Sequence, residues 1–150
     1  MLTLKNWNKS YKENHVLKDI DLTVGTGDVL TIIGSSGSGK STLLRSINFL
    51  EPADSGTIQI GALTRDVQTT TKADILAIRR QTAMVFQNYA LFSKKTVKEN
   101  VMEALVAVKK MPVKEAKLLA EEHLERVGMA DRMDFYPNKL SGGQQQRVGI

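Results

Sequence analysis

Val29-Leu30-Thr31-Ile32-Ile33-Gly34-Ser35-Ser36-Gly37-Ser38-Gly39-Lys40-Ser41-Thr42-Leu43-Leu44 is the stretch on which the fold turns. Residues 29–33 are a continuous, mostly β-branched apolar run, the texture of a parallel strand covered on both faces. Residues 34–41 match G-x-x-x-x-G-K-[ST]. Beyond them Leu43, Leu44, Ile47 and Leu50 recur at helical spacing, and Pro52 closes the pattern. A strand that breaks into a glycine-rich loop and reopens as a helix gathers backbone N–H groups around one point. Glycine lets that backbone approach phosphate oxygens with no Cβ in the way, and the helix start adds partial positive charge. The amides of Gly34, Ser35, Ser36, Gly37, Ser38 and Gly39 are therefore expected to cradle a triphosphate. Lys40 brings a point charge to its β- and γ-phosphates, and Ser41 offers a hydroxyl oxygen to Mg²⁺. A chance Gly/Ser linker would lack both the strand before and the helix after.

Composition sets the bounds around this stretch. The chain has 150 residues, 41% hydrophobic and 25% charged, which suits one folded unit rather than disorder. Lys+Arg outnumber Asp+Glu by 21 to 16, a net charge of +5 that favours anionic partners but is scattered enough to serve solubility alone. With no cysteine there is no disulfide framework, thiolate zinc site or thiol nucleophile. No apolar run approaches the ~18–20 residues needed to cross a bilayer, and MLTLKNWNKSY carries no apolar signal core.

Upstream of the loop, Ile20, Leu22 and Val24 alternate with polar residues, as in a half-buried strand. Downstream, the turn signal Asp54-Ser55-Gly56 precedes the strand Thr57–Ile60, so residues 1–28 and 54–63 are expected to form an antiparallel layer. A polar connector at 69–72, a helix around 74–80 and a strand at 82–86 follow. From Thr96 the texture is helical. Thr96 and Glu99 fit a capping box, and Val101, Leu105 and Val108 share a face. A second helix over 113–127 is expected to bury Val113, Ala116, Ala120, Leu124 and Val127, with Gly128 as its stop. His15 and His123 have no carboxylate or nucleophile to serve. Arg79-Arg80, Lys94-Lys95 and Lys109-Lys110 suit solvated faces or, near a membrane, anionic lipid heads.

A second motif decides the class. Leu140-Ser141-Gly142-Gly143-Gln144, followed by Gln145-Gln146-Arg147, holds an S-x-x-Q capping box opening a helix whose glycines leave backbone N–H groups free for an anion. With the loop at 34–41, this makes the chain closely resemble the ATP-binding subunits of ABC transporters, whose signature is LSGGQ. Residues 84–105, MVFQNYALFSKKTVKENVMEAL, and residues 140–150, LSGGQQQRVGI, are similar in detail to the polar amino acid uptake group.

The resemblance implies an α/β fold: a P-loop NTPase, RecA-like core with an antiparallel β subdomain over residues 1–93, and a helical subdomain over 94–150 bearing the signature. It implies ATP and Mg²⁺ as ligands. Tyr11 would stack on adenine beside Val16, with Trp7 a weaker rival, and Thr42 would join the loop residues around the phosphates. Gln87 would reach Mg²⁺ and the water site. Ser141, Gly142, Gly143 and Gln144 would contact the γ-phosphate held by a second subunit, giving a nucleotide-sandwich dimer of two copies. A transmembrane permease would be the direct partner and a solute-binding protein an indirect one, with no nucleic acid, at the cytoplasmic face of the membrane.

In the resembling family the pattern runs on past the signature to an apolar strand ending in Asp, an adjacent Glu and a switch histidine. No apolar strand ending in Asp-Glu occurs in residues 1–150. The chain is therefore expected to be a piece cut after the signature, with an incomplete core sheet and a strand at 29–33 lacking neighbours. It is expected to bind ATP and hydrolyse it slowly. Two alternatives remain. One is an ABC ATPase of translation or DNA repair, disfavoured because Ser141 lies only 101 positions after Lys40, with no coiled-coil heptads between them. The other is a nonhydrolytic nucleotide-binding module.

Overall fold

In the computed structural model, which describes residues 1–150, the chain opens as a hairpin: β1 (Leu2–Tyr11) runs antiparallel to β2 (Asn14–Val24). A regular strand alternates faces, so Leu4 and Trp7, three positions apart, would point opposite ways. Both are wholly buried. The register slips between them, with Asn6 in the left-handed region at φ 49° and Asp19 of β2 at φ 45°. Side chains serve the backbone groups that the slip frees. Asn6 N donates to Asp21 Oδ1 at 2.7 Å, Asn8 Nδ2 donates to Asn6 O at 2.8 Å, and Asp19 N donates to Asn8 Oδ1 at 3.0 Å.

β3 (Ser55–Ile60) pairs with the other edge of β1, and β4 (Leu63–Asp66) pairs with β3, giving an antiparallel sheet in the order β2-β1-β3-β4. The expected antiparallel layer is thus present, extended by β4. Against its core of Leu4, Trp7, Leu17 and Ile58 lies α1 (Lys40–Ile47). Trp7 Nε1 donates to Ser46 Oγ at 2.8 Å, and Ser46 Oγ donates to Leu43 O at 2.8 Å, so a wholly buried relay fastens the sheet to α1. Phe49, at φ 55°, stacks edge-on to Trp7 with ring centroids 6.4 Å apart.

α1 stops at Ile47, short of the helix that the Leu43-to-Leu50 periodicity predicts. Leu50 is exposed because the left-handed Phe49 turns the chain before Pro52 is reached, and Leu44, inside α1, lies off the buried face of Leu43 and Ser46. The basic side chain of Arg79, in α2 (Lys72–Arg79), is no mere solvated face: Nε donates to Asn48 O at 3.1 Å and Nη2 to Phe49 O at 2.9 Å, satisfying carbonyls at the end of α1.

The two strands predicted around the loop are not formed. Residues 29–33 and 82–86 join no ladder, and Val29 and Ile33 are 92% and 88% exposed, while Ile32 alone of that run packs on the core. A β-branched run has the preference for extended backbone but needs a neighbouring strand to satisfy its N–H and C=O groups. No other segment pairs with either run. The fold remains α/β, with its hydrogen-bonded sheet entirely antiparallel.

α2 starts at a capping box in which Thr71 Oγ1 accepts from Asp74 N while Thr71 N donates to Asp74 Oδ2 at 3.0 Å. The Thr71 hydroxyl, the Arg65 guanidinium at 2.5 Å and the Thr71 amide together lower the Asp74 carboxyl to a pKa of about 2. A depressed carboxylate stabilises the fold above its ordinary pKa, near 3.8, and that contribution disappears as pH falls from there through about 2. The urea midpoint of Asp74→Asn should therefore lie below that of the parent at pH 6, and the gap should narrow steadily below pH 4. A constant gap down to pH 2.5 would contradict the assignment.

The contacts gather into two units, Met1–Met84 and Val85–Ile150. The second holds α3 (Val97–Ala107), α4 (Val113–Arg126) and α5 (Gly142–Gly149) around Val97, Leu124, Met129, Leu140 and Val148. The predicted Thr96–Glu99 box is formed. α4 ends at Arg126 with Val127 as its C-cap, and Gly128, at φ 68°, follows as the expected stop. Ala116, Ala120 and Leu124 are buried, but Val113, in the first turn of α4, is 61% exposed because the inward face starts only at Ala116. Lys98 bridges Asp134 at 3.1 Å and Glu121 at 3.5 Å, and the Asp134 carboxylate raises its pKa.

Candidate functional site

Residues 34–42 form one continuous loop and helix start. Gly37 and Gly39 sit at φ 82° and 91°, a region that side chains disfavour. A Cβ on Gly39 would lie 2.9 Å from Val16 Cγ1 and 3.3 Å from Leu17 Cδ2, so β2 closes directly on the end of the loop. Lys40 Nζ donates to Gly34 O at 2.8 Å and Ser35 O at 2.6 Å, with Ser38 Oγ at 3.4 Å, so its ammonium is folded into the curl of the loop.

The first N–H groups of any helix lack intrahelical acceptors. In α2, α3 and α5 the side chains of Thr71, Thr96 and Ser141 each engage one of them. α1 begins at Gly39 with no side-chain cap. Its first-turn amides, the exposed Ser41 hydroxyl and the Lys40 ammonium together make a donor set matched to an anion carrying several oxygens and to a hard cation bridging them.

Tyr11 ends β1 and is 44% exposed. Its hydroxyl donates to Glu51 Oε2 at 2.5 Å, and Arg45 Nη1 donates to Glu51 Oε1 at 2.9 Å. The bond to Glu51 raises the Tyr11 phenol pKa and lowers that of the Glu51 carboxyl, with the Thr42 hydroxyl of α1 acting on the phenol in the opposite sense. Tyr11 is thereby tied to α1, and Val16 lies against Gly39 at the end of the loop. Trp7 is buried completely with its N–H committed to Ser46, so it has no face to offer a ligand. Local pattern does not point to Glu51 or Arg45, since 40 positions separate Tyr11 from Glu51.

In the second unit Gln87 is exposed in the turn closed by Tyr89 N donating to Phe86 O at 3.1 Å. The predicted Ser141–Gln144 box is formed: Ser141 N donates to Gln144 Oε1 at 2.8 Å and Gln144 N to Ser141 Oγ at 3.3 Å. The glycines inside it differ. A Cβ on Gly143 would meet open space, whereas one on Gly142 would lie 2.8 Å from Tyr89 Oη, and one on Gly149 would lie 2.9 Å from Tyr89 O. Gly142 and Gly149, two turns apart, form a flat strip of α5 on which Tyr89 lies, another residue that local pattern does not reveal. No group of three or more His, Cys, Asp or Glu side chains is placed to hold a metal ion.

The family model for "ABC transporter" matches residues 17–150. The chain belongs to the ABC transporter family. It is 50% identical over 150 residues to the L-cystine import ATP-binding protein TcyN of Bacillus subtilis (strain 168), covering 100% of this chain and 58% of that one. It is 48% identical over 151 residues to the glutamine transport ATP-binding protein GlnQ of the same organism, covering 100% and 61%. Among solved structures it superposes on the dimeric ATP-binding cassette MJ0796 bound to ADP and Pi, with a TM-score of 0.85 at 34% identity over 99% of this chain and 67% of that one. The ABC cassette spans about three-fifths of the length of its curated relatives.

Proposed function

We propose that this chain is the ATP-binding, energy-coupling subunit of an ABC importer for polar amino acids. The observation that carries the proposal is the start of α1: uncapped, preceded by two left-handed glycines, and with the Lys40 ammonium already inside the loop. Lys40 would exchange the Gly34 and Ser35 carbonyls for β- and γ-phosphate oxygens, while the amides of residues 34–42 surround the triphosphate. Tyr11 would stack on the base beside Val16. Ser41 would hold Mg²⁺, joined by Gln87, and the ion's chemistry is to neutralise charge on the phosphate oxygens.

Ser141, Gly142, Gly143 and Gln144 would meet the γ-phosphate bound by a second copy, a pairing supported by the dimeric state of the MJ0796 cassette. Import of amino acids rests on the likeness to the L-cystine import and glutamine transport ATP-binding proteins of Bacillus subtilis. A transmembrane permease would then receive the work and a solute-binding protein would deliver the cargo. The chain would lie peripherally at the cytoplasmic face of the membrane, and no helix is long and apolar enough to cross it. Residues 1–150 carry the phosphate-holding groups on which this reading rests.

Calorimetry with MgATP tests the proposal. The expected result is Mg²⁺-dependent, one-to-one binding. Absence of adenine-nucleotide binding by folded protein would refute the assignment.

A further inference from the structure

An exposed tyrosine is free to take several rotamers, and fixing such a side chain on binding costs about 0.5–1.5 kcal/mol. Tyr11 is spared that freedom. Its hydroxyl donates to Glu51 Oε2, and the other oxygen of the same carboxylate accepts from Arg45 Nη1. Glu51 is tied to the same residue through its backbone as well, since Glu51 N donates to Arg45 O at 3.4 Å. Arg45 belongs to α1, the helix whose first turn carries the phosphate-binding amides. From the other side Lys9 Nζ lies 5.4 Å from the Tyr11 ring centroid and is itself held by Asp54 at 2.9 Å, while Ser10 N donates to Asp54 Oδ2 at 2.6 Å. The ring is thus anchored at its hydroxyl and over its π-face, and the first anchor is built on α1.

We infer that Glu51, held by Arg45, is a positioning residue for nucleotide binding: it locks the Tyr11 phenol to α1, so that the ring stands preset as a stacking face beside the phosphate-binding loop. This rests on the stacking role proposed for Tyr11. The depressed Glu51 carboxyl and the raised Tyr11 phenol agree with it, since the carboxylate accepts and the phenol keeps its proton at neutral pH. Glu51 acts through the ring and touches no phosphate, so its loss should weaken binding of ligands that carry a base and spare those that do not.

The experiment is calorimetry on the parent, Tyr11→Phe, Glu51→Ala, their double variant and Tyr11→Ala, each titrated with MgATP and with inorganic tripolyphosphate in Mg²⁺. Tyr11→Phe keeps the ring and removes the tie. Each single variant should lose about three- to tenfold in MgATP affinity. The double variant should lose no more than either single one, and tripolyphosphate affinity should stay at the parental value throughout. Unchanged MgATP affinity in Tyr11→Phe and Glu51→Ala beside a loss in Tyr11→Ala would overturn the inference and leave the stacking role standing. Unchanged affinity in Tyr11→Ala would remove the stacking role and the inference with it. Additive losses, or parallel losses for tripolyphosphate, would show that Glu51 acts on the fold and overturn the inference as well.

Discussion

Lys40→Ala should weaken MgATP binding by about two orders of magnitude or more while leaving the protein folded. The ammonium donates to Gly34 O and Ser35 O, carbonyls on the exposed rim of the loop, so its removal returns those groups to water at small cost to stability. Toward a triphosphate the same group is the one full positive charge among neutral amides. Charge-assisted hydrogen bonds contribute about 1.5–3 kcal/mol apiece, and Lys40 would make two of them, to β- and γ-oxygens. Affinity should therefore fall by at least about a hundredfold. Calorimetry paired with the thermal midpoint checks both halves. A variant that binds within tenfold of the parent would show that the loop amides alone hold the ligand, and a collapsed midpoint would show that Lys40 is structural.

The loop was legible before any coordinates because its requirements are local. Gly37 and Gly39 adopt the left-handed angles that their residue type permits, and Lys40 follows at the start of the helix whatever the rest of the chain does. The capping boxes at Thr96 and Ser141 are legible for the same reason, and the structure adds a third at Thr71. What the sequence concealed is non-local. Val29–Ile33 has every strand propensity, yet whether it becomes a strand depends on a partner elsewhere, and no segment of residues 1–150 supplies one. Asn6 and Asp19 give no warning of positive φ, because only the burial of both Leu4 and Trp7 forces the register slip. The family resemblance marks Tyr11 as a candidate stacking ring, but it does not reveal the Glu51 and Arg45 that hold it, since nothing at positions 45 and 51 refers to position 11.

Gly56→Ala should be the most damaging single-methyl change in the first unit, by about 3–5 kcal/mol. Gly56 stands in β3 opposite the slip at Asn6, at φ 115°, and a Cβ there would lie 2.6 Å from Asn6 O, 2.8 Å from Lys5 O and 2.8 Å from Trp7 Cα. All three are backbone atoms, so no side chain can swing aside, and relief requires the central strand itself to move. Gly27 isolates the other part of the cost: it too has positive φ, 87°, but nothing stands within 4 Å of its missing Cβ, so Gly27→Ala should lose only about 1–2 kcal/mol of backbone strain. Urea unfolding followed through Trp7, the single tryptophan, measures both. Equal losses at the two positions would mean that the sheet yields at the slip and that the close approach is not a constraint. If the losses differ as expected, the consequence reaches the loop. Lys5 and Asn6 carry the slip that turns Trp7 inward, Trp7 is fastened through Ser46 to α1, and α1 bears Lys40 and Ser41 at its start. A methyl group placed more than fifteen residues beyond the loop should then weaken MgATP binding in whatever fraction of Gly56→Ala remains folded, and Gly27→Ala should bind as the parent does.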